Sequence, residues 1–210
     1  REPQPPRDVH SLLIDAGCAC NGYACDITRS YAFRDDDFAG MVADMDALQQ
    51  ELCAAVRPGL AFPDLHRRTH LGLAALLQRW GLVRMAPEDM VREGVTFAFL
   101  PHGLGHLLGL QVHDVGGHMA DDTGAALQPP PDFPKLRFLR TLEAGQVVTI
   151  EPGVYFIESL LAKLRAAPAG GHVDWDRVAG LMQYGGIRIE DDMLVTRGDP
   201  ENLTRPVLGD

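Results

Sequence analysis

The sequence predicts an α+β domain built on a mostly antiparallel sheet. Three observations predict it. Asn21-Gly22 sits between two strand-like runs, the strongest short hairpin signal. Two stretches of helical periodicity follow. Strand-like segments then return in the second half, two of them around a forced turn at Pro152-Gly153. The 210 residues suit one domain or two small ones, with enough length to bury a core unaided. Apolar residues at 46% and charged residues at 23% are globular composition and exclude global disorder.

Each element has its own signal. Residues 1–9 open with a Pro-rich stretch and read as a linker; the first residue is Arg rather than Met, so the chain reads as a piece of something longer. Residues 11–19 are an apolar run, and residues 23–33 return from the turn with Ile27, Thr28 and Tyr31. Asp35-Asp36-Asp37 is placed to cap a first helix, with Phe38, Met41, Val42, Met45 and Leu52 at helical spacing and a stop at Arg57-Pro58-Gly59. A second helix starts near Pro63 and carries Leu71, Ala74, Leu77 and Trp80 before Gly81. Residues 87–91 form a short third helix. Residues 95–100 read as a strand, and residues 101–115 are rich in Gly and His. Residues 129–134, with four prolines, read as a surface loop or linker. Residues 146–151 and 154–157 are strands, residues 160–181 are helical at both ends and broken over 167–171, and residues 186–195 alternate as a strand.

Charge and cysteine usage narrow the function. The formal net charge of −10 disfavours nucleic-acid and anionic-membrane partners. No apolar run reaches the roughly 18 residues of a membrane helix. Cys18, Cys20, Cys25 and Cys53 lack zinc-site spacing. They read as buried or half-buried fillers in a reducing compartment, hence a cytoplasmic protein.

The chemistry lies in carboxylates and histidines. A two-residue turn at Asn21-Gly22 sets Asp15 opposite Thr28 and Asp26 opposite Gly17, so the two carboxylates share a face roughly 7–8 Å apart. They repel unless a cation lies between them; otherwise one is exposed or paired with Arg29. Alternation puts Arg188 and Glu190 on one face, with Ile187 and Ile189 on the other. That is either a surface ion pair or part of a site. Glu151 ends an apolar strand, as a solvated terminus or a ligand. His102, His106 and His113 crowd into twelve positions spaced by glycine, which lets side chains approach a ligand. His66 and His70 stand at i, i+4 but lack the HExxH glutamate and read as a solvated face. One His with four carboxylates is a hard, oxygen-rich set, suited to Mn²⁺ or Co²⁺. A charge of about −4 calls for two divalent ions about 3.5–4 Å apart.

In order along the chain, Leu13 to Gly17 with Gly22 to Arg29, then residues 101–115, 149–153 and 185–191, resemble the metal motifs of the pita-bread metallopeptidases. Residues 150–161 and 184–191 most resemble the bacterial Xaa-Pro dipeptidase (prolidase) group. The likeness runs over nearly all of residues 10–207. It implies a curved, mostly antiparallel sheet with flanking helices, forming a catalytic domain over residues 10–210 that is incomplete on its N-terminal side. It implies that Asp15 chelates one metal, Asp26 and Glu190 bridge, and His106 and Glu151 bind the other. Glu151 would take a proton from the attacking water. His113 would stabilise the tetrahedral intermediate or relay a proton to the proline nitrogen, and His102 and Arg188 would hold substrate. The implied reaction is hydrolysis of Xaa-Pro dipeptides by a metal-bridging hydroxide, with two ions, Mn²⁺ first and Co²⁺ or Zn²⁺ as substitutes. The implied partners are a small peptide and, in the full-length protein, a second copy in a homodimer. Competing readings are an aminopeptidase P acting on longer Xaa-Pro peptides and an inactive pita-bread module used for binding. A dead module typically loses metal ligands; here all five are present.

Overall fold

The computed structural model describes residues 9–34, 37–121 and 123–209. The Pro-rich stretch before Val9, and Asp35 and Asp36 of the expected cap, lie outside the described residues. Strand β1 (Ser11–Ala16) pairs antiparallel with β4 (Ile27–Ala32), with Asp15 opposite Thr28. Between them the short strands β2 (Ala19–Cys20) and β3 (Tyr23–Ala24) keep the same register up to the turn. Asn21 and Gly22 have φ of 51° and 85°, the two left-handed residues a type I′ hairpin turn demands.

Helices α1 (Asp37–Ala54) and α2 (Phe62–Arg79) follow, with Pro63 in the first turn of the second. Their spacing buries Phe38, Met41, Met45 and Leu52 of α1 and Leu65, Leu73 and Leu77 of α2 in the main core. The short helix α3 is Pro87–Arg92. The expected strand over 95–100 is instead helix α4 (Val95–Phe99). Its buried residues, Val95, Thr96 and Phe99, recur at helical spacing, and Gly94 enters it from a left-handed φ of 73°. A short run with only Thr96 to break its apolar character carries no decisive period, so it could not separate the two structures.

The second half adds β5 (Val147–Ile150), β6 (Gly153–Tyr155), α5 (Glu158–Ala166), a 3₁₀ turn (Pro168–His172) and α6 (Trp175–Leu181). Then come β7 (Gly186–Arg188), β8 (Asp191–Leu194), β9 (Glu201–Asn202) and α7 (Arg205–Leu208). The sheet order β5-β8-β9 is antiparallel, as is the β6-β7 pair. The single strand expected over 186–195 is broken at Ile189-Glu190. There the chain leaves β7 to bridge Thr28 of the hairpin, with Glu190 N–H donating to the Thr28 carbonyl at 3.0 Å. Beneath this junction the fully buried Asp191 accepts from Arg29 at 2.8 Å and Arg205 at 2.7 Å. Arg205 also donates to Asp46 and Gln49 of α1. Hairpin, sheet, α1 and C-terminal helix are thereby tied by one buried ionic cluster, of the kind that is costly to break by removing a single partner.

Two further expectations change. The proline-rich 129–134 segment is more than a surface excursion: Phe133 is buried, and with Phe138 it anchors the stretch between them to the core while Lys135 and Arg137 stay exposed. His66 and His70 are buried, at 2% and 0% exposure, rather than solvated. Phe133 and Phe97 close over that helix face, and α2 presents it inward. Burial holds His66 down to about 2 and His70 to about 4, so both are neutral. Of the cysteines, Cys53 is buried and Cys25 half-buried, but Cys18 and Cys20 are exposed. Among the described residues no helix is long and apolar enough to cross a membrane.

Candidate metal centre

The hairpin delivers Asp15 from β1 and Asp26 from the residue before β4. The Asp26 backbone N–H leaves the ladder and donates to the Asp192 carboxylate at 3.2 Å. Glu190 arrives from the β7–β8 break and accepts the Thr28 hydroxyl at 2.5 Å. Glu151 ends β5, where its N–H donates to the Leu104 carbonyl at 2.8 Å. That bond belongs to a short ladder laying the histidine segment along β5: Thr149 N–H donates to the His106 carbonyl, and His106 N–H to the Thr149 hydroxyl. Gly105 makes the approach possible, because a Cβ there would overlap the Thr149 carbonyl oxygen.

This brings His106 beside Glu151. Its Nδ1–H donates to the Leu107 carbonyl at 3.0 Å, which leaves the Nε2 lone pair free. Nε2 faces Asp26 at 3.5 Å and Glu151 at 3.7 Å. The donor atoms fall into overlapping groups within 4.8 Å: Asp15, Asp26 and Glu190; His106, Glu151 and Glu190; and Asp26, His106 and His113. Glu190 is common to the first two.

The electrostatics are those of a crowded acidic cage. Burial first, then the charge of Glu190, pushes Glu151 well above the usual carboxylate range. Glu190 is pushed up to about 7 by burial, against the Thr28 hydroxyl bond and with help from Asp26. Asp192 rises to about 6, again mainly through burial. Arg188 is the cation inside the cluster. It pairs with Asp15, donates to Thr28 at 3.1 Å and lies 3.7 Å from Glu190. Arg29, a candidate partner for the hairpin carboxylates, turns to Asp191 instead. One guanidinium does not balance four carboxylates, so mutual repulsion adds to the burial that raises Glu151 and Glu190. Hard oxygen donors, one oriented imidazole and uncompensated charge fit a pair of divalent cations.

His102 is set by a chain of hydrogen bonds. Its Nδ1–H donates to the Gly103 carbonyl at 2.7 Å, so Nε2 accepts the Tyr155 hydroxyl at 2.8 Å. The Tyr155 oxygen in turn accepts from Arg188 at 3.1 Å. Burial lowers the pKa of His102 and, less enclosed, of His113. All the residues singled out from sequence, Asp15, Asp26, His102, His106, His113, Glu151, Arg188 and Glu190, line one cavity of about 500 Å³. Sequence reasoning missed the rest of its lining, Pro134, Lys135, Leu136, Arg137 and His118, of which Lys135 and Arg137 bring positive charge to the cavity. It also missed Tyr155, Thr28 and Asp192. All three stood inside segments read from the sequence, Thr28 opposite Asp15 itself, but nothing in their spacing marked their part in the site.

Residues 2–197 match the model of metallopeptidase family M24. The chain belongs to that family. It is 52% identical over 204 residues to an Xaa-Pro dipeptidase of Stenotrophomonas maltophilia, covering 97% of this chain and 46% of that protein. Against an Xaa-Pro dipeptidase of Aeromonas hydrophila the identity is 51%, covering 96% and 46%. The chain thus spans about half the length of the curated relatives it matches. Among solved structures, zinc-substituted Escherichia coli aminopeptidase P in complex with product superposes with a TM-score of 0.69 at 30% identity, covering 94% of this chain and 38% of that one. Pseudomonas aeruginosa aminopeptidase PepP gives 0.66 at 31% identity, with the same coverage. The α+β architecture is accordingly the pita-bread fold of this family, present here in part.

Proposed function

We propose that the chain carries a two-metal hydrolytic centre that cleaves the Xaa-Pro bond of dipeptides. The observation that carries this reading is the pair of adjoining donor groups sharing Glu190. Asp15, Asp26 and Glu190 would hold one ion, and His106, Glu151 and Glu190 the other, with Asp26 in reach of both. Divalent ions bound there, Mn²⁺ in the first place, supply a water of lowered pKa and polarise the scissile carbonyl.

The protein's own groups do the rest. Glu151 accepts the proton of the attacking water, from its place at the end of β5 beside His106. His113, on the cavity wall beside His106, relays a proton to the proline nitrogen, because a tertiary amide must leave as a protonated secondary amine. Lys135 and Arg137 line the same cavity as His102, which Tyr155 and Gly103 fix in orientation, and their positive charge suits the free carboxylate of a C-terminal proline. Arg188 holds Asp15 and Tyr155 in place and lines the same space. Relatives at half identity that bear the name Xaa-Pro dipeptidase support this substrate class over the aminopeptidase reading, whose solved representatives stand near 30%.

The test is a panel of Gly-Pro, Ala-Pro and Leu-Pro against Xaa-Pro-Xaa tripeptides, with Mn²⁺. Dipeptide cleavage that Asp26→Asn abolishes is the expected result. Tripeptide cleavage alone would favour the aminopeptidase, and no cleavage by the metal-loaded protein would reject hydrolysis.

A further inference from the structure

The hairpin that carries Asp15 and Asp26 is not a continuous ladder. Pairing holds from Ser11↔Ala32 to Ala16↔Ile27 and resumes at Ala19↔Ala24. In the gap, Cys18 and Cys25 continue the register and face each other. Cys25 N–H donates to the Cys18 carbonyl at 2.8 Å. The return bond is absent; Cys18 N–H donates instead to the Cys25 sulfur at 3.1 Å. The two sulfurs are 3.4 Å apart. Gly17 packs directly on the Cys25 carbonyl, so the strand connection at this point is fixed by backbone contact rather than by side chains. Cys18 is open to solvent and Cys25 half-buried.

We propose that Cys18 and Cys25 are a redox-active pair that closes a disulfide across the gap in the hairpin and so locks the two strands bearing Asp15 and Asp26. Directly opposed positions in an antiparallel pair have Cα separations of about 4.5–5.5 Å, inside the range a disulfide spans. Closing the sulfurs to about 2.05 Å asks for a side-chain rotation and no change of register. The oxidant is a hydroperoxide. The exposed Cys18 sulfur attacks its outer oxygen, breaking the O–O bond, and becomes a sulfenic acid as hydroxide or alkoxide leaves and takes up the thiol proton. The Cys25 sulfur then attacks the Cys18 sulfur, forming S–S and releasing water. Two thiols lose two electrons and two protons in all, and a dithiol returns them. The effect on the centre rests on the two-metal reading. A register held at the gap keeps the hairpin carboxylates converged against their mutual repulsion, so the oxidised chain binds metal more tightly. Linkage requires that bound metal also favours the disulfide.

The test treats the chain with hydrogen peroxide, alkylates free thiols and cleaves after Tyr23, which separates Cys18 from Cys25. The expected result is a Cys18–Cys25 linked peptide pair, released by dithiothreitol, kept in Cys20→Ser and lost in Cys18→Ser. Cys18 converted to sulfinic acid with Cys25 still alkylated, or a Cys18–Cys20 link, would overturn the pair. Calorimetric titration with Mn²⁺ should give an affinity at least about fivefold higher for the oxidised chain, the lower end of ordinary coupling between sites. Equal affinities would overturn the coupling. No Mn²⁺ binding in either state would remove the metal reading and the coupling with it, while the linked peptide still decides the thiol chemistry.

Discussion

Replacing Glu190 with Gln should stabilise the metal-free protein at alkaline pH and abolish its response to Mn²⁺. Glu190 is 2% exposed and its carboxyl is raised from 4.5 to about 7. A folded-state value above the unfolded one means that its contribution to stability is full below about pH 4.5 and is lost as pH rises through about 7. The difference between those values corresponds to about 3 kcal/mol at 1.36 kcal/mol per pH unit. Gln keeps an oxygen for the Thr28 hydroxyl but never ionises. The variant should therefore match the parent near pH 4.5 and exceed it at pH 8. For a chain of this size, about 2–4 °C per kcal/mol gives a Tm roughly 6–12 °C higher. Mn²⁺ at a hundred times its dissociation constant should add about 2.7 kcal/mol to the parent and little to the variant. Thermal unfolding in chelator and in Mn²⁺, at both pH values, reads all four states. A variant no more stable than the parent at pH 8, or one that keeps the full Mn²⁺ gain, would refute the crowded-cage argument.

Gly105→Ala forces a Cβ against the Thr149 carbonyl, so it should cost on the order of 3 kcal/mol in chemical denaturation and weaken Mn²⁺ binding by displacing His106. An unchanged midpoint and affinity would show that the histidine segment yields freely. Tyr155→Phe strips a partner from both His102 and Arg188. It should raise KM for a dipeptide and lower stability by about 1–3 kcal/mol while metal content stays constant. A fall in metal content instead would place Tyr155 with the cage. Glu151→Gln should lower kcat by about 10²–10⁴ with a smaller effect on peptide binding, and near-normal turnover would remove Glu151 as the proton acceptor.

Much of the centre was legible because its signals are local. Asn21-Gly22 determines a two-residue turn, and with it the Asp15–Thr28 pairing, from turn chemistry alone. Alternation correctly put Arg188 and Glu190 on the face away from Ile187 and Ile189, which are buried. What stayed hidden depends on contacts distant in sequence. The α4 run, apolar but for Thr96, shows no decisive alternation, so only its packing selects helix over strand. His66 and His70 look like a polar helix face until Phe133, some sixty positions on, covers them. Lys135 and Arg137 join the cleft because Phe133 and Phe138 anchor their segment in the core, which a run of prolines does not announce. The break at Glu190 follows from its bridge to Thr28 across the molecule.

Crystals grown with Mn²⁺ and measured at the manganese absorption edge address the metal centre most directly. Two anomalous peaks about 3.5–4 Å apart are expected, one beside Asp15 and one beside His106, with Glu190 reaching both. A single peak elsewhere on the surface, or none among these carboxylates, would contradict the account.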